Sequence, residues 1–124
     1  MIRTTLIVLF SMIFLAMTYV TVGATLDRGI FDAGRDLWPD RWFRATLMDA
    51  YCGFITFYVW VAYKETQWVS RLMWFVLIMT LGNFAMSAYV LRQLWRLDSF
   101  TWDGLLLRST QTENPNPEIP LDRV

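Results

Sequence analysis

At 124 residues the chain has room for one domain, and with 56% hydrophobic residues it carries more apolar surface than a soluble domain of that size hides. Eleven basic residues balance eleven acidic ones; no basic patch or polybasic run stands out, which argues against a nucleic-acid partner and against attachment to anionic lipid. Histidine is absent, removing the commonest metal ligand and the commonest general base at neutral pH, and the single cysteine, Cys52, leaves no intramolecular disulfide.

The apolar residues fall into three blocks of about the 17–25 residues that a spanning helix needs. The first, residues 4–25, carries no charge. Arg3 and a Val22-Gly23-Ala24 site give it the look of a signal peptide, but about 20 apolar residues exceed a signal core, so a retained first span is expected. A connecting segment, residues 26–44, follows with four aspartates and four arginines. Within it Leu37 to Arg44 reads as an amphipathic piece at the interface, with Pro39 in a first helical turn, Asp40 and Arg44 spaced for an ion pair, and Trp38 and Trp42 at headgroup level. The second helix then starts near Pro39 and runs on unbroken; the alternative start is Thr46, where Thr46-Leu47-Met48-Asp49 has capping-box form. The second span covers 45–63 and holds one charge, Asp49.

Residues 64–71 make a tight link, so the second and third apolar stretches should be antiparallel neighbours. The third block, residues 72–91, is uncharged and reads as a third span. Residues 98–108 form a second interfacial segment, and residues 109–124 a polar, proline-rich tail that cannot fold alone. The expected architecture is all-α and integral to the membrane: a 1–108 domain with three transmembrane helices and interfacial amphipathic segments, followed by the 109–124 tail. An odd number of spans then separates Gln67 from Gln111. Counting Lys and Arg, six against three places the first loop and proximal tail in the cytoplasm, while the signal-anchor look of the first span argues the reverse.

Each span presents a stripe of small or polar residues: Ser11, Thr18 and Thr25; Asp49, Gly53, Thr56, Trp60 and Tyr63; Thr80, Asn83 and Ser87. Such stripes hold membrane helices together by close approach and hydrogen bonds; a polar pathway needs more ionisable groups at depth than Asp49 alone. Asp49 lies near its helix start, where it can cap the positive end or pair with Arg41 or Arg44. Tyr63, Lys64 and Glu65 close the second span where headgroups or a partner would meet them. Trp60, Tyr63, Trp68 and Trp74 are expected at one membrane face and Trp38, Trp42, Trp95 and Trp102 at the other; such rings also suit contacts with lipid, quinone or carotenoid. No nucleophile with a base, metal-ligand cluster or phosphate loop is visible, so neither an enzyme nor a cofactor is expected.

The stretch Asp49-Ala-Tyr51, then Phe57 through Glu65 with its Trp-Val-Ala-Tyr-Lys-Glu string, Trp68, and Gly82 through Tyr89 resembles a family of small multi-spanning membrane proteins of bacteria and plants with unknown function. The resemblance covers residues 45–94 and supports three spans; it assigns no activity, because the family has none assigned, and a multi-pass place in a bacterial inner membrane is the setting expected. The function expected is that of an accessory, non-catalytic subunit of a larger membrane complex of the energy-transducing kind, photosynthetic or respiratory, stabilised by helix packing and by a docked tail. The rival reading is a small transporter or lipid-handling protein working through Asp49 and the polar stripes. The partners are the bilayer and other membrane subunits.

Overall fold

The computed structural model describes residues 1–108, all of whose elements are helical; the tail lies outside the described residues, so its docking is a matter for proposal. Helix α1 spans Ile2–Asp27, α2 Ile30–Leu37, α3 Arg41–Lys64, α4 Trp68–Leu81, α5 Asn83–Arg96 and α6 Trp102–Leu106. Among the described residues, only α1 and α3 are long and apolar enough to cross a membrane.

The second helix takes the longer of its two expected courses. Asp40 is its N-cap, accepting from the Phe43 N–H at 2.9 Å, an interaction typically worth about 1 kcal/mol. Pro39 therefore stands just outside the helix, and the Asp40 side chain is spent on the cap rather than on Arg44. Thr46 is interior, its hydroxyl donating to the Trp42 carbonyl at 2.9 Å. The connecting segment holds a helix that the sequence reading left out, α2, tied back by an exposed Arg28–Asp36 pair at 3.0 Å.

The third apolar block is not one helix, and this corrects the expectation of a third span. It is folded in two at Gly82. Trp74 and Arg92 would stand about 27 Å apart along a straight helix, yet the Arg92 guanidinium lies 5.7 Å from the Trp74 ring. Trp74 also meets Tyr89 edge-on, with ring centroids 4.8 Å apart. The turn is a single residue: Gly82 has φ +53° and ψ −123°, in the region that disfavours side chains. The Gly82 N–H closes α4 on the Ile78 carbonyl, and the Met86 N–H opens α5 on the Gly82 carbonyl. The hairpin's arms are 14 residues each, about 21 Å long, and too short to span hydrocarbon about 30 Å thick.

The hairpin fills one half of the molecule. α4 packs on α3 and α5, and α5 packs along α1. Phe84 meets Phe14 at 5.4 Å near the tip, while Val90 and Leu94 pack with Leu6, Ile7 and Phe10 of α1 and Leu105 of α6. The chain thus returns to the end where α1 begins and α3 finishes. Val61, Trp74, Ile78, Ala85 and Tyr89 form the main core cluster. Beyond the tip, which packs on Phe54, only α1 and α3 continue, joined at their far ends by the segment that contains α2.

Candidate functional site

The end of α3 is the polar centre of the molecule. The chain leaves the helix extended at Glu65, with φ −77° and ψ 132°. That turns the carboxylate in toward the hairpin and leaves Lys64 to reach the other way. Glu65 accepts from the Ser70 hydroxyl at 2.6 Å, the Tyr89 hydroxyl at 3.0 Å, Arg92 at 3.2 Å and the Gln93 amide at 3.4 Å. Its own carbonyl accepts from Arg71 Nε at 2.8 Å. One acid side chain, 11% exposed, therefore joins the start of α4 to the end of α5 and locks the mouth of the hairpin. Burial pushes the Glu65 carboxyl up, but the hydrogen bonds from Ser70 and Tyr89 and the neighbouring Arg92 outweigh it, and the net is a carboxyl held below its ordinary range.

Lys64 does the corresponding work on α6. Its ammonium donates to the carbonyls of Gly104 and Leu105, both at 2.6 Å, and of Leu107 at 2.8 Å. An ammonium carries three donors, and all three are met by carbonyls at the C-terminal end of a short helix, where a cation is favoured. Trp60 Nε1 donates to the Leu106 carbonyl at 3.0 Å. Arg108 donates to the Tyr63 carbonyl at 3.0 Å and stacks over the Tyr63 ring at 5.6 Å. The Trp60-to-Glu65 string thus holds α6 with its lysine and the hairpin with its glutamate. Under it sits Tyr89, fully buried, with the rings of Trp74, Trp60 and Phe57 edge-on at 4.8, 5.5 and 6.3 Å.

The remaining sequence candidates do not join this cluster. Asp49 is exposed, more than two turns inside α3, and has no hydrogen bond or ion pair among the described residues; the cap is Asp40. The Thr56 hydroxyl donates to its own helix at the Cys52 carbonyl, as Thr18, Thr25 and Thr80 donate to Phe14, Thr21 and Val76, so these stripe hydroxyls are satisfied within their helices rather than across them. Asn83 is exposed at the hairpin tip. Of the tryptophans, Trp38 and Trp42 lie at the α2–α3 end. Trp95 and Trp102 are moved by the fold-back to the end that holds Trp68, which corrects their expected pairing with Trp38 and Trp42. Trp74 is a core residue at 7% exposure, not a surface anchor. Sequence reasoning missed Ser70, Arg71, Tyr89, Arg92 and Gln93 as partners of Glu65. The signal was there on α5, where positions 89, 92 and 93 share one helical face.

The family described as "Protein of unknown function (DUF1475)" matches residues 2–108. The chain belongs to this family. The DUF1475 match takes in all six helices and so the whole Lys64–Glu65 cluster, a longer region than the 45–94 stretch on which the resemblance rested. No curated protein and no solved structure matches the chain.

Among the described residues no group of three or more His, Cys, Asp and Glu side chains could hold a metal ion, and the Lys64 ammonium and Glu65 carboxylate are engaged by groups of the chain itself. What they accomplish is mechanical: they fix where a helical hairpin and a short helix sit against α3.

Proposed function

We propose that this DUF1475 protein is a multi-pass membrane protein that crosses the bilayer with α1 and α3, carries α4 and α5 as a re-entrant hairpin, and serves as an accessory, non-catalytic subunit of a larger membrane assembly. The resemblance of its second half makes a bacterial inner membrane the expected setting. Support for the membrane comes from exposure. α1 has no buried residue, and Leu15, Tyr19, Val20, Val22 and Leu26 stand bare on it, far more contiguous apolar surface than a monomer tolerates in water.

The observation that carries the subunit reading is Asp49. It lies about 12 Å along α3 from Arg41 among the exposed Leu47, Met48 and Tyr51, with no partner among the described residues. An ionisable side chain inside a span almost always faces other protein or a watery cavity, and here the described residues give Asp49 no hydrogen-bond or ion-pair partner. A neighbouring subunit that brings a hydrogen-bond donor or a cation to Asp49 removes the conflict. Extraction in mild detergent followed by affinity capture of the chain is the test. Other polypeptides should be retained in fixed ratio by the wild type and by Asp49→Asn, and reduced severalfold by Asp49→Leu. Recovery of the wild type as a single monodisperse species overturns the subunit reading; recovery from the soluble fraction without detergent overturns the membrane reading.

A further inference from the structure

Folding the third apolar block back on itself gathers cations that the linear sequence disperses. Six basic residues among the described ones (Arg3, Lys64, Arg71, Arg92, Arg96 and Arg108) come to the end where α1 starts and α3 finishes, against three acids, Glu65, Asp98 and Asp103. The opposite end has four basic residues and five acids. Lys64, Arg71, Arg92 and Arg108 are engaged by the chain itself. Arg96 is exposed and has no ion pair among the described residues.

A groove of about 400 Å³ lies between α1 and α5, lined by Ser11 and Phe14 of α1 and by Ala88, Leu91, Arg92 and Trp95 of α5. Arg96 directly follows Trp95 and stands one turn beyond Arg92 on α5. Ala88, Arg92 and Arg96 are spaced four apart and share one face of α5, so the lining passes from apolar to cationic along the groove. Arg92 pairs with Glu65 at 3.2 Å and still keeps 36% of its side chain exposed. Apolar depth, a cationic mouth and a tryptophan at the boundary are the sequence of environments that one chain of a phospholipid presents, from methylenes to phosphate.

We infer that this groove binds one anionic phospholipid, an acyl chain lying along Phe14, Ala88 and Leu91 and the phosphate set between Arg92 and Arg96. The inference rests on the membrane reading above and is independent of the subunit reading, since it concerns the chain by itself. The full chain, purified in a neutral detergent, is titrated with phosphatidylglycerol or phosphatidylcholine, and bound lipid is counted by native mass spectrometry. One phosphatidylglycerol should bind saturably, at least fivefold more tightly than phosphatidylcholine. Arg96→Gln, at an exposed position that leaves the fold alone, should bring the two lipids within twofold of each other. Ala88→Leu should weaken both lipids at least fivefold by filling the groove; if that variant fails to fold, the loss of headgroup preference in Arg96→Gln still decides. Equal retention of both lipids by the wild type, or a preference unchanged in Arg96→Gln, overturns the proposal.

Discussion

Glu65 receives donors from Ser70, Tyr89, Arg92 and Gln93, and its replacement separates two contributions. Glu65→Gln keeps an acceptor of nearly the same shape and loses the charge, so it should cost about 1 kcal/mol. Glu65→Ala also leaves Tyr89 and Gln93 as buried unpaired donors; about 3 kcal/mol is expected, the low end of the range for breaking a buried pair, because Arg92 keeps a third of its surface free. Unfolding in detergent measures both, and an alanine variant as stable as the glutamine one rules out the hub. The pH dependence has a definite sign. A carboxyl held below its ordinary value contributes fully above the unfolded value of about 4.3, and the contribution is lost as pH falls through the lower folded value. The stability gap between wild type and Glu65→Gln should therefore be constant from pH 7 to 6 and close below about pH 4. The sequence singled out Lys64 and Glu65 because a charged pair ending an apolar run is conspicuous. It could not show that their partners were internal, because carbonyls of residues 104–107 and side chains of α5 become neighbours only through the fold-back.

At the scale of elements, Gly82 decides the difference between a span and a hairpin. A methyl group there would approach the Phe54 ring to 2.6 Å and would force an L side chain to φ +53°. The conformational cost is about 1–2 kcal/mol, and the overlap adds about 1–3 kcal/mol. Gly82→Ala should therefore lose about 2–5 kcal/mol in thermal or denaturant unfolding, and Phe54→Leu in that background should restore the part due to overlap and none of the part due to φ. A Gly82→Ala variant within about 0.5 kcal/mol of the wild type argues for a straight helix. The long helices α1 and α3 were legible because apolar runs of spanning length leave little choice. The hairpin was not, because hydropathy registers only that residues 72–91 lack charge. Its one local signal was the Gly82-Asn83 pair in the middle of the run, a residue that accepts a positive φ at a helix C-terminus followed by a polar side chain.

For the whole molecule, the proposed pair of spans and re-entrant hairpin would place the N-terminus, the α3–α4 link and α6 on one side, and the segment that contains α2 on the other. Single cysteines at Gln67 and Ser99, in a Cys52→Ala background, should react with an impermeant thiol reagent from the same side, and one at Asp36 from the opposite side. Three straight spans give the opposite result for Gln67 and Ser99. The fold-back also revises the orientation argument. Among the described residues, six basic side chains now lie with the N-terminus and four with α2, so the charge rule favours a cytoplasmic N-terminus. The difference in polarity between the two equally long arms of the hairpin bears on how the protein would be made. α4 is apolar but only 14 residues long, and α5 carries Asn83, Ser87, Arg92 and Gln93, so neither arm partitions stably into lipid by itself. On the proposed topology α1 and α3 would enter one after the other as independent helices, and α4 and α5 would follow as a pair into the space between them. The Glu65 carboxylate, whose partners lie on both arms, would then be among the last groups to be satisfied.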